Sequence, residues 1–396
     1  MQKKLVLAYS GGLDTSYCLK YLNTDRGFEV HTVLINTGGF SKAELEEIET
    51  KARLLGAFTH TTLNKEKEYY EKCIKYLIYG NVLKNGTYPL SVSSERIIQA
   101  QAVIEFAKKT GARYIAHGST GAGNDQIRFD IMIRVLAPEI EIISPIRDLQ
   151  VSRDAEIEYL KKQKIDLNFN KMAYSINKGL WGTSIGGKET LNSKDPLPEE
   201  AYPSKLCKTA NEQLSITFNH GEIAEVNGKS FENRVDAIRE IEAFTSPYAI
   251  GRDIHIGDTI IGIKGRVAFE AAAPLVIIKS HQTLEKHVLG KWQLYWKDQL
   301  ANWYGMLLHE AQYLDPVMRD IESFLESSQK RVSGTVYIQL SPYHFSIEGI
   351  ESDYDLMNSG FGDYGEINRA WTGEDVKGFT KILSIQSSLY YEQMNK

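Results

Sequence analysis

The apolar positions in the first part of the chain fall into short runs separated by amphipathic stretches. Lys4 to Tyr9 reads as a buried strand, Thr15 to Leu22 as the helix that follows, and Val30 to Ile35 as a second strand ending at Asn36-Thr37-Gly38-Gly39. Ser41 to Leu55 carries Leu45, Ile48, Ala52 and Leu55 at helical spacing and is closed by Gly56, and Phe58 to Leu63 reads as a third strand. The pattern then predicts a long helix over Ser94 to Thr110, a short strand Tyr114-Ile115-Ala116, a glycine-rich loop to Asn124 and a strand around Glu141 to Ile143. Strands alternating with helices predict an α/β fold, with a parallel, doubly wound sheet covered on both faces.

After a charged helix over Ser152 to Lys164 the texture changes. Loops containing Gly, Ser and Pro run from Ser175 to Pro203, ahead of β-rich segments such as Leu214 to Phe218. We place a boundary near Asp166, which gives a nucleotide-binding domain over residues 1–166 and an α+β domain over residues 167–365. The second domain is expected to hold helices over Glu232 to Ala243 and Trp292 to Leu325, and strands at Thr259 to Ile263, Val276 to Ile278 and Thr335 to Leu340. Residues 366–396 form a tail in which Thr372 caps a helix with acidic Glu374 and Asp375 in its first turn. Val376, Phe379, Ile382, Leu383 and Leu389 make its apolar face.

A chain of 396 residues exceeds one hydrophobic core, which agrees with two domains and an extension. With 42% hydrophobic and 24% charged residues the composition is globular, and no apolar run approaches the roughly 20 residues that cross a bilayer. Only Cys18, Cys73 and Cys207 occur, with no CxxC spacing, which argues against a disulfide framework and a structural zinc site and fits a cytoplasmic location. A net charge of -5, with basic and acidic residues interspersed, argues against nucleic acid as a partner.

The sharpest chemical signal is Ser10-Gly11-Gly12-Leu13-Asp14-Thr15-Ser16, set between a predicted strand and a predicted helix. Two glycines let backbone approach a polyanion, the hydroxyls of Ser10, Thr15 and Ser16 donate, and the helix turns its N-terminal N–H groups toward bound phosphate. The loop lacks the Gly-Lys-Ser/Thr ending of a Walker A motif and the G-x-G-x-x-G spacing of dinucleotide folds. Asp14 is placed to help hold a magnesium ion on the phosphates.

This loop resembles the SGGxDS/T signature of the N-type ATP pyrophosphatases, which attack the α-phosphorus of ATP and form an adenylated substrate and pyrophosphate. Extended to Leu7-Ala8-Tyr9-Ser10-Gly11-Gly12-Leu13-Asp14-Thr15-Ser16, it is similar to the argininosuccinate synthase family in particular. Tyr88-Pro89-Leu90-Ser91-Val92-Ser93 resembles that family's citrulline-contacting segment. The run from Ala116 through Gly118, Thr120, Asn124 and Asp125 to Arg128-Phe129 is similar to a second signature, and Tyr174-Ser175 with Leu180-Trp181-Gly182-Thr183-Ser184 to a third.

The resemblance implies an adenine-nucleotide α-hydrolase-like domain, a synthetase domain and an oligomerising C-terminal helix in a homotetramer. It implies a ligase that uses ATP and Mg2+ to condense citrulline with aspartate through a citrullyl adenylate, in arginine biosynthesis. By the same resemblance ATP meets Ala8, Tyr9, Ser10, Gly11, Gly12, Leu13, Asp14, Thr15, Ser16 and Gly118. Citrulline meets Tyr88, Ser93, Asn124, Arg128, Ser175 and Ser184, and aspartate meets Thr120, Asn124 and Asp125. Asp14 and Asp125 are the candidate catalytic carboxylates. Arg128 is expected to grip a carboxylate through paired hydrogen bonds. His117 is expected to brace its loop, and Trp181 to pack in the core.

The likeness thins after Gly251. Aligned on Lys264 and Glu270, Gly257 and Phe269 stand where the family carries a citrulline-binding glutamate and a tyrosine. Either Asp253, Asp258 or Glu270 takes over, or the substrate lacks a free ammonium, which opens an alternative of the same ligation on an N-acylated citrulline. A tRNA-modifying adenylating enzyme shares the loop, but the acidic net charge and the lack of paired cysteines weigh against it.

Overall fold

The computed structural model describes residues 3–165, 174–358 and 370–396. The N-terminal half runs β1 (Lys4–Ala8), α1 (Leu13–Thr24), β2 (Glu29–Asn36), α2 (Lys42–Leu54), β3 (Thr59–Asn64), α3 (Glu66–Tyr69), α4 (Lys75–Tyr79), α5 (Ser91–Thr110), β4 (Tyr114–Ala116), α6 (Asp125–Leu136), β5 (Glu141–Ile143), α7 (Pro145–Asp148) and α8 (Arg153–Lys162). Its five strands are parallel in the order β3-β2-β1-β4-β5. Successive residues of a strand face opposite sides. Leu5 and Leu7 of β1 therefore pack with Tyr17, Leu19 and Leu22 of α1, while Val6 joins Ile97 and Val103 of α5 on the other face. The chain winds outward from β1 to β3 and then crosses back to β4, so the strand order reverses between β1 and β4. At such a reversal the loops leaving the two strands part and open a crevice.

The C-terminal half runs β6 (Ser175–Gly179), β7 (Gly182–Gly186), β8 (Glu212–Asn219), β9 (Glu222–Val226), β10 (Lys229–Ser230), α9 (Arg234–Thr245), β11 (Arg252–Asp258), β12 (Lys264–Glu270), α10 (Ala272–Val288), α11 (Lys291–His309), α12 (Pro316–Ser328), β13 (Gly334–Ser341) and β14 (His344–Glu351). The strands form two sheets, β10-β9-β8-β13-β14 and β11-β12-β7-β6. The second covers the crevice. A buried ion pair ties the halves together: Lys297 Nζ on α11 lies 3.0 Å from Glu285 Oε2 on α10 and donates to the carbonyl of Tyr79 at 2.8 Å. The tail forms α13 (Gly373–Leu383) and α14 (Ile385–Met394), with the Thr372 hydroxyl capping α13 as its sequence predicts. Among the described residues no helix is long and apolar enough to cross a membrane.

Three sequence expectations need correction. The apolar run Val276-Ile277-Ile278 is not a strand but the middle of α10, buried together with Ala272, Ala273, His281 and Leu284. A helix packed on most sides shows no polar face, so its β-branched run mimics a strand. Residues Thr259 to Ile263 are the turn between β11 and β12, with Gly262 at φ +85°. The single helix expected over Trp292 to Leu325 is two, since Asp315 caps a new helix whose first residue is Pro316. The boundary near Asp166 and the tail boundary near residue 365 lie outside the described residues.

Candidate active site

The crevice is a cavity of about 920 Å³ between the parallel sheet and the β11-β12-β7-β6 sheet. Its floor is the loop after β1. Gly12 precedes α1 with no side-chain cap, so the first N–H groups of that helix stay available to an anion. Ser10 Oγ lies 3.3 Å from Thr15 Oγ1 and accepts from the Gly12 N–H at 3.4 Å. Gly11 has φ +74°, and a Cβ there would meet Ile48 of α2 at 2.9 Å. The glycine thus sets the turn and its packing. From β4 the chain reaches Gly118, whose absent Cβ would lie 3.2 Å from the Thr15 N–H nitrogen, so the two switch-point loops touch.

Ala8, Tyr9, Ser10, Gly12, Leu13, Asp14, Thr15 and Gly118 border this end of the cavity. Gly11 and Ser16 do not, and Ser16 is fully buried behind the loop. Behind Asp14 sits Glu156 of α8, 3% exposed, whose carboxyl is pushed up to about 8 by burial and by the Asp14 charge.

The other end is organised by charge. Asp125, the first residue of α6, accepts from Arg96 Nε of α5 at 2.8 Å and from Arg128 Nη1 one turn along at 2.8 Å. Burial pushes the Asp125 carboxyl up, but the two guanidiniums outweigh it and hold the group below its ordinary range. Arg96 also donates to Asn177 Oδ1 of β6 at 2.9 Å, so the lattice reaches across the cavity. Arg128 gives Nε and Nη2 to the His309 carbonyl and Nη2 also to His309 Nδ1. With five donors in all, it keeps a single N–H on Nη1 for a ligand. The paired grip on a substrate carboxylate expected of Arg128 is therefore not available in this arrangement.

The remaining expected contacts converge here too. Thr120 and Asn124 border the cavity from the loop after β4, Asp125 and Arg128 from α6, and Tyr88 and Ser93 from the turn before α5 and from α5 itself. Ser175 and Ser184 border it from β6 and β7. The Asn124 side chain accepts from the Ile260 N–H at 2.9 Å, pinning the β11–β12 turn over the site. Tyr88 is buried, bonded to Ser91 Oγ at 3.0 Å, and packs on His255 and Phe269. His117 bridges Asp130 Oδ1 and the Ser119 N–H, and Trp181, fully buried, donates to the Pro89 carbonyl.

Glu95, Arg96, His255 and His309 also border the cavity and escaped the sequence reading. Glu95 accepts from the Thr37 hydroxyl at 2.6 Å and lies beneath Gly179 of β6; burial pushes its carboxyl up to about 7 against the pull of Arg96. Arg96 lies three residues beyond the Tyr88 to Ser93 segment, one helical turn from Ser93, and that spacing is the signal that would have found it. The histidines come from distant elements and left no local signal. Of the three carboxylates expected to replace the missing pair, Asp258 borders the cavity, and Asp253 and Glu270 do not. Glu270 engages Arg252 Nε and the Ser204 N–H, Asp258 pairs with Lys264 at the surface, and Asp253 is exposed and accepts from the Ile254 N–H.

Two family descriptions match the chain: the arginosuccinate synthase N-terminal HUP domain over residues 4–166 and the arginosuccinate synthase C-terminal domain over residues 174–390. The chain is 36% identical over 391 residues to the argininosuccinate synthase of Dictyoglomus thermophilum, with 98% of each protein covered. It is 35% identical over 393 residues to that of Methanocaldococcus jannaschii, again with 98% of each covered, and 34% identical over 387 residues to that of Sulfolobus acidocaldarius, with 97% of each covered.

Proposed function

This chain belongs to the argininosuccinate synthase family, and on that premise we propose that its cleft condenses a citrulline-type ureide with aspartate at the expense of ATP. It is a ligase forming a C–N bond. The observation that carries the reading is that an uncapped phosphate loop and the Arg96–Asp125–Arg128 lattice open into one cavity, so a triphosphate and two amino acids share a single enclosure.

In this reading the triphosphate lies along the loop from Ala8 to Ser16 and against Gly118, with Gly11 and Ser16 shaping the loop from behind. The ureide lies among Tyr88, Ser93, Asn124, Arg128, Ser175 and Ser184. Aspartate lies among Thr120, Asn124 and Asp125. The ureido oxygen attacks the α-phosphorus and pyrophosphate leaves. The aspartate amine then forms the new C–N bond as the C–O bond to AMP breaks, giving argininosuccinate. Such a sequence draws chiefly on placement and on fixed dipoles at the developing charge. Asp125, its carboxyl held down by two guanidiniums, acts as an orienting anion rather than as a base.

The donors beside the phosphate loop are oxygens, the Asp14 carboxylate and the Ser10 and Thr15 hydroxyls, and they fit a hard cation such as Mg2+. Among the described residues no group of three His, Cys, Asp or Glu side chains is placed to hold a metal, so the ion would be shared with the phosphates. When bound it would neutralise charge on the triphosphate; Asp14 is the residue to hold it.

We assign ATP binding to residues 1–166, the synthetase part to residues 167–365 and assembly to residues 366–396, in a cytoplasmic homotetramer. The apolar side chains of α13 and α14, Phe379, Ile382, Leu383 and Leu389 among them, are all exposed in the single chain. A second exposed stripe runs along α11 through Trp292, Trp296 and Trp303. Faces of this size call for a partner surface.

The test is exchange of labelled pyrophosphate into ATP. The ligase reading expects exchange that needs Mg2+ and a ureido acceptor but not aspartate, and AMP release once aspartate is added. Exchange independent of every ureide would overturn it.

A further inference from the structure

The second step of the ligation has a proton to place. Aspartate arrives as an ammonium at neutral pH, and only its free amine attacks the adenylated carbon. Several groups that border the cavity are poor acceptors for that proton. Asp125, though buried, is held below its ordinary range by Arg96 and Arg128, Asp258 is held down by its hydrogen bond from Lys264, and Glu44 by the Ser41 backbone N–H. Burial pushes the imidazoles of His255 and His309 down. A base whose proton is lost so readily gives little drive to the transfer.

Glu95 of α5 also borders the cavity, and its surroundings differ. Its Oε1 accepts from the hydroxyl of Thr37, which follows β2, the strand paired with β1 and its phosphate loop. On its other side Arg96 Nη1 lies 3.5 Å from Oε2, and the same guanidinium bonds Asp125 through Nε. The carboxyl thus stands between a strand end beside the phosphate loop and the lattice where aspartate is drawn, which is where amine and adenylated carbon have to meet. Gly179 of β6 makes room for it, since a Cβ there would lie 2.6 Å from Oε1. Oε1 is anchored; Oε2 has no hydrogen bond among the described residues and is not an enclosed atom, so it is left to face the cavity. Burial pushes this carboxyl up to about 7; Arg96 and the Thr37 hydroxyl pull against it, and the Asp125 charge adds to it. The Tyr69 phenol, from α3, also feels the Glu95 charge and stays neutral. A carboxyl poised in this range both takes up and gives back a proton near neutral pH.

We propose that Glu95 is the general base of the second step, its Oε2 taking a proton from the ammonium of aspartate. The inference rests on the ligase reading above and deepens it. One N–H bond of the ammonium breaks and the proton passes to the Glu95 carboxylate. The electron pair set free forms the C–N bond as the C–O bond to AMP breaks, and the second proton, released as the guanidinium forms, goes to the departing phosphate of AMP. The first step, attack of the ureido oxygen on the α-phosphorus, brings no proton to Glu95.

The experiment uses the full chain with ATP and Mg2+, offers citrulline and N-acetylcitrulline separately as the ureide, and reads the two steps apart. Exchange of labelled pyrophosphate into ATP without aspartate reports the first, and AMP release after aspartate is added reports the second. Glu95→Gln, whose amide oxygen still accepts from Thr37 but takes no proton, is expected to slow AMP release about 100-fold and to keep exchange within about threefold of the parent. Glu95→Asp, which keeps a carboxylate, recovers part of the loss. In the parent, kcat/KM for aspartate rises as pH increases through about 7, and in Glu95→Gln that rise is absent. Undiminished AMP release in Glu95→Gln, an equal loss in both steps, or a pH rise that persists in the variant overturns the proposal. No ureide-dependent exchange in the parent overturns the ligase reading and this proposal with it.

Discussion

Arg96 Nε meets Asp125 Oδ2 at 2.8 Å, joining α5 to α6 at the point where the aspartate site is drawn. Both groups are mostly withdrawn from water, so removing Arg96 leaves Asp125 with Arg128 as its one cationic partner among the described residues. Arg96→Met is expected to cost roughly 3 kcal/mol of stability and to raise the KM for aspartate more than that for ATP. Thermal unfolding and initial rates check it; equal KM changes for the two substrates would speak against the placement.

Glu95 makes a pH prediction. Its carboxyl is raised from 4.5 to about 7, so the folded state binds the proton more tightly than the unfolded chain. The stability this gives is complete below pH 4.5 and is lost as pH rises through 7. Glu95→Gln imitates the protonated form. Without substrates it should match the parent near pH 5 and exceed it at pH 8 by up to about 3 kcal/mol. Unfolding midpoints that stay parallel across this range would contradict the assignment.

Gly118 allows the loop after β4 to lie against the phosphate loop. A methyl group there would press on the Thr15 backbone nitrogen at 3.2 Å and push the loop off its anion. Gly118→Ala is expected to raise the KM for ATP about tenfold, a cost near 1.4 kcal/mol, while the KM for aspartate moves less. Unchanged ATP dependence would show that the contact has slack.

The exposed apolar faces of α13 and α14 predict that ending the chain at Trp371 breaks the assembly. Sedimentation velocity of the full and shortened chains checks this. A shortened chain that still sediments as a tetramer would remove the arm from the interface.

The parallel half was largely legible because β1, β2 and β4 carry apolar runs of their own and its strands alternate with helices. Tyr114–Ala116 and Glu141–Ile143 fall where the pattern puts them, and the loop Ser10 to Ser16 announces its chemistry through local spacing. Legibility failed where burial erased periodicity, as in Val276 to Ile278, and where turn chemistry passed for a strand, as in Thr259 to Ile263. Charge partners across the fold were hidden for a simpler reason. His309 meets Arg128 from 181 positions away, and Asn177 meets Arg96 from 81, separations at which a single sequence holds no spacing to read.

Activation of the ureido oxygen by ATP fixes where that oxygen ends up. The most direct measurement is turnover of an acceptor carrying 18O in its ureido group, with mass analysis of the AMP formed. One 18O in the phosphate of each AMP, and none in pyrophosphate, is the result expected here. AMP without the label, or label in inorganic phosphate alongside ADP, would contradict the account.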